Sequence, residues 1–198
     1  MLSLLNGGRF QGNDHLPFVG NQKEMLDAIA EFLTGLKPHE KAHRILATVL
    51  HAQVLPTSRQ SQPNETKRIG LSQAHFTREI ELFRGHTIQA APNCVSASFD
   101  GPARAIRAAL AIRDSASRLG VEVQLGLHTG ECEFYQQKIS GTAVEIAERV
   151  ASFGTRNEVI VSSTVKDLVA GSGIQFVEKL VVRLADDLPE CCLFQVKS

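Results

Sequence analysis

The chain has no surplus of charge of either sign: 21 Lys and Arg stand against 21 Asp and Glu in 198 residues. Without a basic face, neither general nucleic-acid binding nor attachment to an anionic membrane surface is expected. No apolar run approaches the roughly 20 residues of a membrane span. A basic segment followed by an apolar core and a cleavage site is also missing from the start, so no secretion signal is expected. Cysteine is scarce, and Cys94, Cys132, Cys191 and Cys192 show no metal-ligand spacing. The expectation is buried free thiols in a cytoplasmic protein, with Cys191 and Cys192 on opposite faces of a final strand. Internal repeats and low-complexity tracts are absent. What is present is a 43% hydrophobic content, enough for a core, in a 21.6 kDa chain that fits one domain plus an appendage.

Periodicity divides the chain. Asn21 and Glu24 form a candidate capping box, and Met25, Ile29, Phe32 and Leu33 follow at helical spacing up to Gly35. Lys37 to Lys41 reads as a polar hinge. Arg44 to Val54 is a nearly continuous apolar run, the pattern of a central strand buried on both faces. Pro56 to Lys67 has loop chemistry, and Leu71 to Phe83 regains helical character. His86 to Phe99 reads as a hairpin turning at Pro92-Asn93. Pro102 to Leu119 reads as a helix with Pro102 in its first turn. Val121, Val123, Leu125 and Leu127 alternate as a strand, and Ala143, Ile146, Ala147 and Val150 keep helical spacing. Glu158–Ser162, 175–182 and 192–196 are expected strands, with a short helix at 164–170. The order β-α-β-β-α-β with a further α/β elaboration predicts an α+β fold, a ferredoxin-like sandwich with helices on one face of a mainly antiparallel sheet and an N-terminal helical extension.

The stretch from Phe99 to Arg149, FDGPARAIRAALAIRDSASRLGVEVQLGLHTGECEFYQQKISGTAVEIAERV, resembles the middle of the catalytic domain of class III adenylate/guanylate cyclases. The resemblance runs from about Arg44 to the C-terminus and implies the ferredoxin-like core that the element order also predicts. It further implies a cleft between two subunits, in which a ribose 3′-oxygen attacks the α-phosphorus of a nucleoside triphosphate. Two metal ions held by aspartates activate that oxygen.

Residue by residue, this chemistry is mostly missing. The family's first metal Asp, in a pattern resembling F-T-D-I-x-G-S-T, aligns with Gln53. The second, in K-x-x-G-D-G, aligns with Asn93, and the purine-reading Lys of that pattern with Gln89. The acidic partner of that Lys aligns with Lys138 and the ribose-steadying Asn with Glu145. Only the transition-state Arg matches, as Arg149. Amides offer a metal a carbonyl oxygen but no negative charge, so no metal site is expected; Mg²⁺ or Mn²⁺ enters only if residual cyclase activity exists. One positioned group is worth on the order of 10²–10⁴ in rate, and losing both metal ligands places any residual activity near background. Pro56 impoverishes the backbone cradle for phosphates, while Thr57 and Ser58 remain as weak anion contacts. Two readings of Arg149 stand: an i, i+4 ion pair with Glu145 on the helix surface, or a retained anion contact. Lys138 reads equally as a solvated loop lysine. As the complementing half of an asymmetric pair the chain would contribute little besides Arg149.

The segment GNDHLPFVG and the helix after it resemble the last piece of an α/β-hydrolase, in which His15 would be the triad base. A nucleophile elbow G-x-S-x-G and an acid do not precede it, so His15 is expected to be vestigial, an exposed loop histidine. The organisation expected is therefore 1–36 hydrolase-like remnant, 37–43 linker and 44–198 cyclase-homology domain. Three functional classes stay open. The domain is a dimeric regulatory or interaction module, a receptor taking a small molecule in the interface cleft without turnover, or a cyclase with unconventional ligands. The altered cleft is less polar than its family's, which favours a neutral, partly apolar ligand over a phosphate-rich one.

Overall fold

The computed structural model describes residues 29, 32–33, 43–56, 65–135, 138–184 and 190–197, with 65–69 described in their backbone alone. His15, Thr57, Ser58, Met25 and the candidate capping box lie outside the described residues. The chain divides into two compact units, 1–41 and 42–198. Of the first, Ile29, Phe32 and Leu33 are helical, as the apolar spacing of that segment predicts, and exposed.

The second unit is built on β1 (His43–Leu55), α1 (Glu65–Leu82), β2 (His86–Ala91), β3 (Cys94–Phe99), α2 (Pro102–Leu119) and β4 (Glu122–Tyr135). It continues with β5 (Lys138–Ser140), α3 (Thr142–Ser152), β6 (Glu158–Ser162), α4 (Ser163–Leu168), β7 (Phe176–Arg183) and β8 (Glu190–Val196). One sheet runs β2-β3-β1-β4-β6-β8-β7, with β5 paired to β4. All pairings are antiparallel except β4 with β6, which α3 connects as a crossover. The first four strands thus lie in the ferredoxin-like order. Helix α1 begins at Glu65, inside the polar stretch expected to be loop.

Sheet alternation decides what each helix covers. Leu50, Ala52 and Val54 of β1 pack with Phe76 and Ile80 of α1 and Ile106 and Ile112 of α2. Ala47 and Val49, pointing the other way, pack with Ala143 and Ala147 of α3. Both faces of β1 are therefore buried from Ala47 to Ala52, as its unbroken apolar run predicts. The expectation of helices on one face holds for α1 and α2 and is corrected for α3. The β4–α3–β6 crossover brings α3 to the opposite face, where Ile146 and Val150 meet Ile160 of β6 and Leu193 of β8.

Two local features position α3. Gly141 opens it at φ 116°, a backbone conformation that L side chains rarely adopt. Gly126 lies beneath it on β4, where a Cβ would fall 2.1 Å from the backbone nitrogen of Ala151 and 2.4 Å from the carbonyl oxygen of Ala147. Helix α2 starts with Pro at its first turn and ends at Gly120 (φ 65°), whose N–H reaches the carbonyls of Ala116 and Ser117. Among the described residues no helix is long and apolar enough to cross a membrane.

Candidate functional site

Of the residues singled out from sequence, Gln53 and Gln89 lie on the α3-facing side of the sheet. Gln53, near the end of β1, stands opposite Cys94 on β3 and Gln124 on β4. The tight Pro92-Asn93 turn bends the hairpin back so that the Val54 N–H donates to the Asn93 carbonyl at 2.7 Å. Gln53 and Asn93 are thus brought together at one end of the sheet. The Gln53 side chain donates its Nε2–H to the carbonyl of Val54 at 3.3 Å, so its amide is engaged with local backbone.

One row further along, His51 lies opposite Ser96 and Gly126 and is only 5% exposed. Its Nδ1 shares a hydrogen bond of 2.9 Å with the Ser96 hydroxyl. Burial holds the ring below its ordinary pKa, against the opposing influence of the Glu148 charge and of Gln53. The Cys94 thiol is pushed up by burial and, next, by the same Glu148. Glu148, exposed on α3, is thus near enough for its charge to act on both groups. Sequence reasoning missed both His51 and Glu148. The alternation of β1 puts His51 on the face of Gln53 and could have found it. Glu148 becomes visible only once the crossover places α3 on that face.

The remaining positions spread out. Gln89 is exposed on β2 opposite Ser96, just after a bulge at Ile88. Lys138 is exposed at the start of β5, opposite Tyr135. Their neighbours Ile88 and Ile139 join one apolar cluster, so the β4–β5 arm folds towards β2. A hollow of about 520 Å³ lies there, lined by His86, Ile88, Ser98, Phe134 and Ile139 among others. Along β1, however, Lys138 belongs to the His43 end and Gln53 to the other, so one chain does not bring these two together. Glu145 and Arg149 are both exposed at the two ends of α3. The ion pairs among the described residues join Arg44–Glu131, Arg104–Asp100, Arg113–Asp114, Arg156–Glu122, Lys166–Asp167 and Lys179–Glu158, and not Glu145–Arg149. Of the two readings of Arg149, the surface pair with Glu145 is therefore not formed, and Arg149 is exposed.

His128, from the GLHTGE stretch, has a fastening role. Its Nδ1 shares a 2.9 Å hydrogen bond with the Ser162 hydroxyl, tying β4 to β6, and burial lowers its pKa to about 4. All four cysteines are free thiols: Cys132 is buried, and Cys94, Cys191 and Cys192 are partly so.

Similarity to solved structures matches this geometry. The Adenylate/Guanylate Cyclase/Hydrolase from Silicibacter pomeroyi superposes with a TM-score of 0.69 at 20% identity, over 79% of this chain and 98% of that one. The adenylyl cyclase CyaB from P. aeruginosa gives 0.71 at 17%, over 80% and 96%. This is the fold of nucleotide cyclase catalytic domains. A dimeric guanylyl cyclase domain of the RhoGC fusion protein from the aquatic fungus Blastocladiella emersonii shares the cyclase fold at 0.66 and 13%, over 78% and 98%. No family model and no curated protein matches the chain.

At the positions where the family resemblance would place the ligands of two metal ions, this chain offers few charged donors. Gln53 and Asn93 are neutral, Cys94 is held protonated, and Glu148 is a lone carboxylate. Among the described residues no group of three His, Cys, Asp or Glu side chains converges as a metal would require.

Proposed function

We propose that this chain is a catalytically degenerate cyclase-fold domain that acts by binding: a cytoplasmic, homodimeric regulatory module whose interface cleft takes a small ligand without turning it over. The observation that carries the reading is the pair Gln53 and Asn93. The backbone contact that holds the two positions together is intact, while neither side chain bears the charge that metal-assisted phosphoryl chemistry requires. Buried His51 and the protonated Cys94 make that end of the sheet less polar still. A neutral, partly apolar ligand suits such a lining better than a triphosphate. The dimeric fungal cyclase domain of the same fold supports association of two copies. In this reading the 1–36 segment is a hydrolase-like remnant, and His15 does no chemistry.

The test is calorimetric titration of the purified chain with ATP and GTP, with Mg²⁺ and then Mn²⁺, alongside a cyclic-nucleotide assay. The expected result is no product and no metal-dependent tightening. Product above a no-protein control overturns the reading.

One observation favours a second reading, a nucleotide-binding cyclase with residual activity: Glu148 supplies one carboxylate charge at the sheet end. In that case Mn²⁺-dependent product would appear and Glu148→Gln would remove it. Arg149, exposed on the same helix, would then hold phosphate, and its replacement would weaken ATP binding.

A further inference from the structure

On the face of the sheet opposite α3, helices α1 and α2 lie side by side, and the groove between them is neither packed nor neutral. The spacing i, i+3, i+4, i+7 along α1 sets His75, Arg78, Glu79 and Leu82 on one stripe, where an apolar seam would be ordinary for a helix beside a neighbour. Across the groove α2 presents Ser115, Arg118 and Leu119. Together they line a hollow of about 440 Å³.

The polar groups in this hollow are already organised. Ser115 is only 3% exposed, and its hydroxyl donates to Glu79 Oε1 at 3.3 Å while accepting from Arg118 Nη2 at 2.9 Å. The chain Arg118–Ser115–Glu79 links the two helices and holds one guanidinium nitrogen at the groove, while the guanidinium carries further N–H donors. Neither Arg78 nor Arg118 forms an ion pair among the described residues. Glu79, the single acid in the lining, is already accepting from Ser115. Leu82, 64% exposed, and Leu119 supply an apolar wall.

We propose that this groove is a second binding site, taking a small organic oxyanion: a carboxylate or phosphate group carried on an apolar body. Two guanidiniums offer the paired donors that planar or tetrahedral oxyanions accept, and His75 adds a donor beside them. The volume falls in the range of about 300–1,000 Å³ usual for small-molecule sites. The site is independent of the cleft on the other face and does not rest on whether that cleft is active.

The experiment titrates the full chain at low ionic strength with phenyl phosphate, phenylacetate, inorganic phosphate and benzyl alcohol. Binding is followed by calorimetry and by amide shifts in the unsubstituted protein. Saturable binding of phenyl phosphate or phenylacetate is expected, with shifts centred on 75–82 and 115–119; the tighter of the two identifies the headgroup. Benzyl alcohol should not bind. Arg78→Gln and Arg118→Gln should each weaken binding about tenfold or more, the loss of one charge-assisted hydrogen bond. Arg104→Gln, at an exposed site paired with Asp100, should leave it unchanged. No saturation by either aromatic anion, shifts centred elsewhere, or full affinity in the Arg78→Gln/Arg118→Gln double variant overturns the proposal.

Discussion

The backbone N–H of Val54 donates to the carbonyl of Asn93 at 2.7 Å, which fastens the β2–β3 turn to the end of β1. Because both partners are main-chain groups, this contact survives any side-chain change at Gln53 or Asn93. The main-chain placement of the two positions is therefore independent of their side-chain charge. Gln53→Asp with Asn93→Asp should place two carboxylates beside Glu148 and create saturable Mn²⁺ binding that the parent chain lacks. Without metal, like-charge repulsion should lower stability by on the order of 2 kcal/mol, recovered on adding Mn²⁺. Calorimetry and thermal melts measure both effects. A folded double variant that takes up no Mn²⁺ would show that the two side chains do not converge.

Glu148 raises the Cys94 thiol pKa after burial has done so, and it opposes the lowering of His51. Removing its charge in Glu148→Gln should lower the Cys94 pKa and speed alkylation by iodoacetamide at pH 8, by about threefold, since the thiolate is the reacting form. Mass spectrometry of the Cys94 peptide follows the rate. The His51 pKa should fall further in the same variant, read from its ring resonances. Unchanged behaviour at both residues would place Glu148 away from the sheet end.

Much of this fold is legible in sequence because its signals are local. The alternation of Val121 to Leu127, the run from Arg44 to Val54 and the Pro102 and Gly120 boundaries of α2 each report on their own segment. The side of the sheet that α3 covers is not local. It depends on β4 running on to Tyr135, pairing with β5 and crossing to a parallel β6, and it decides which helix residues meet β1. That is why Gln53 and Asn93 could be singled out from short motifs that the family resemblance aligns with one strand and one turn, while Glu148 could not. The Glu145–Arg149 pair was legible as spacing, yet on an exposed helix face two solvated side chains gain little from meeting.

Gly126 tests that same crossover. A methyl group at this position would overlap the backbone of Ala147 and Ala151, and backbone cannot turn aside as a flexible side chain can. Gly126→Ala should destabilise the domain by about 3 kcal/mol or more in urea unfolding, by forcing α3 off the sheet. Gly70 in α1 meets nothing within 4 Å, so Gly70→Ala should instead stabilise by about 0.5–1 kcal/mol. Equal effects at the two glycines would contradict the close approach of α3.

The acid limb of stability should carry the mark of His128. Burial lowers its pKa from 6.5 to about 4 in the folded chain, while the unfolded chain keeps the ordinary value. Above pH 6.5 both states are neutral there, and the residue adds no pH dependence. Between pH 6.5 and 4 the unfolded state binds the proton and the folded state does not, so stability must fall as the pH falls. Below pH 4 both states are protonated and the loss levels off. The shift corresponds to at most about 3 kcal/mol across this window. Burial of His51 acts in the same direction. His128→Gln removes the titrating group while leaving an amide to meet Ser162, so the variant should show a shallower fall in unfolding free energy between pH 6.5 and 4. Urea melts at closely spaced pH values decide it: parallel acid limbs for the two proteins would mean that His128 titrates normally in the folded state.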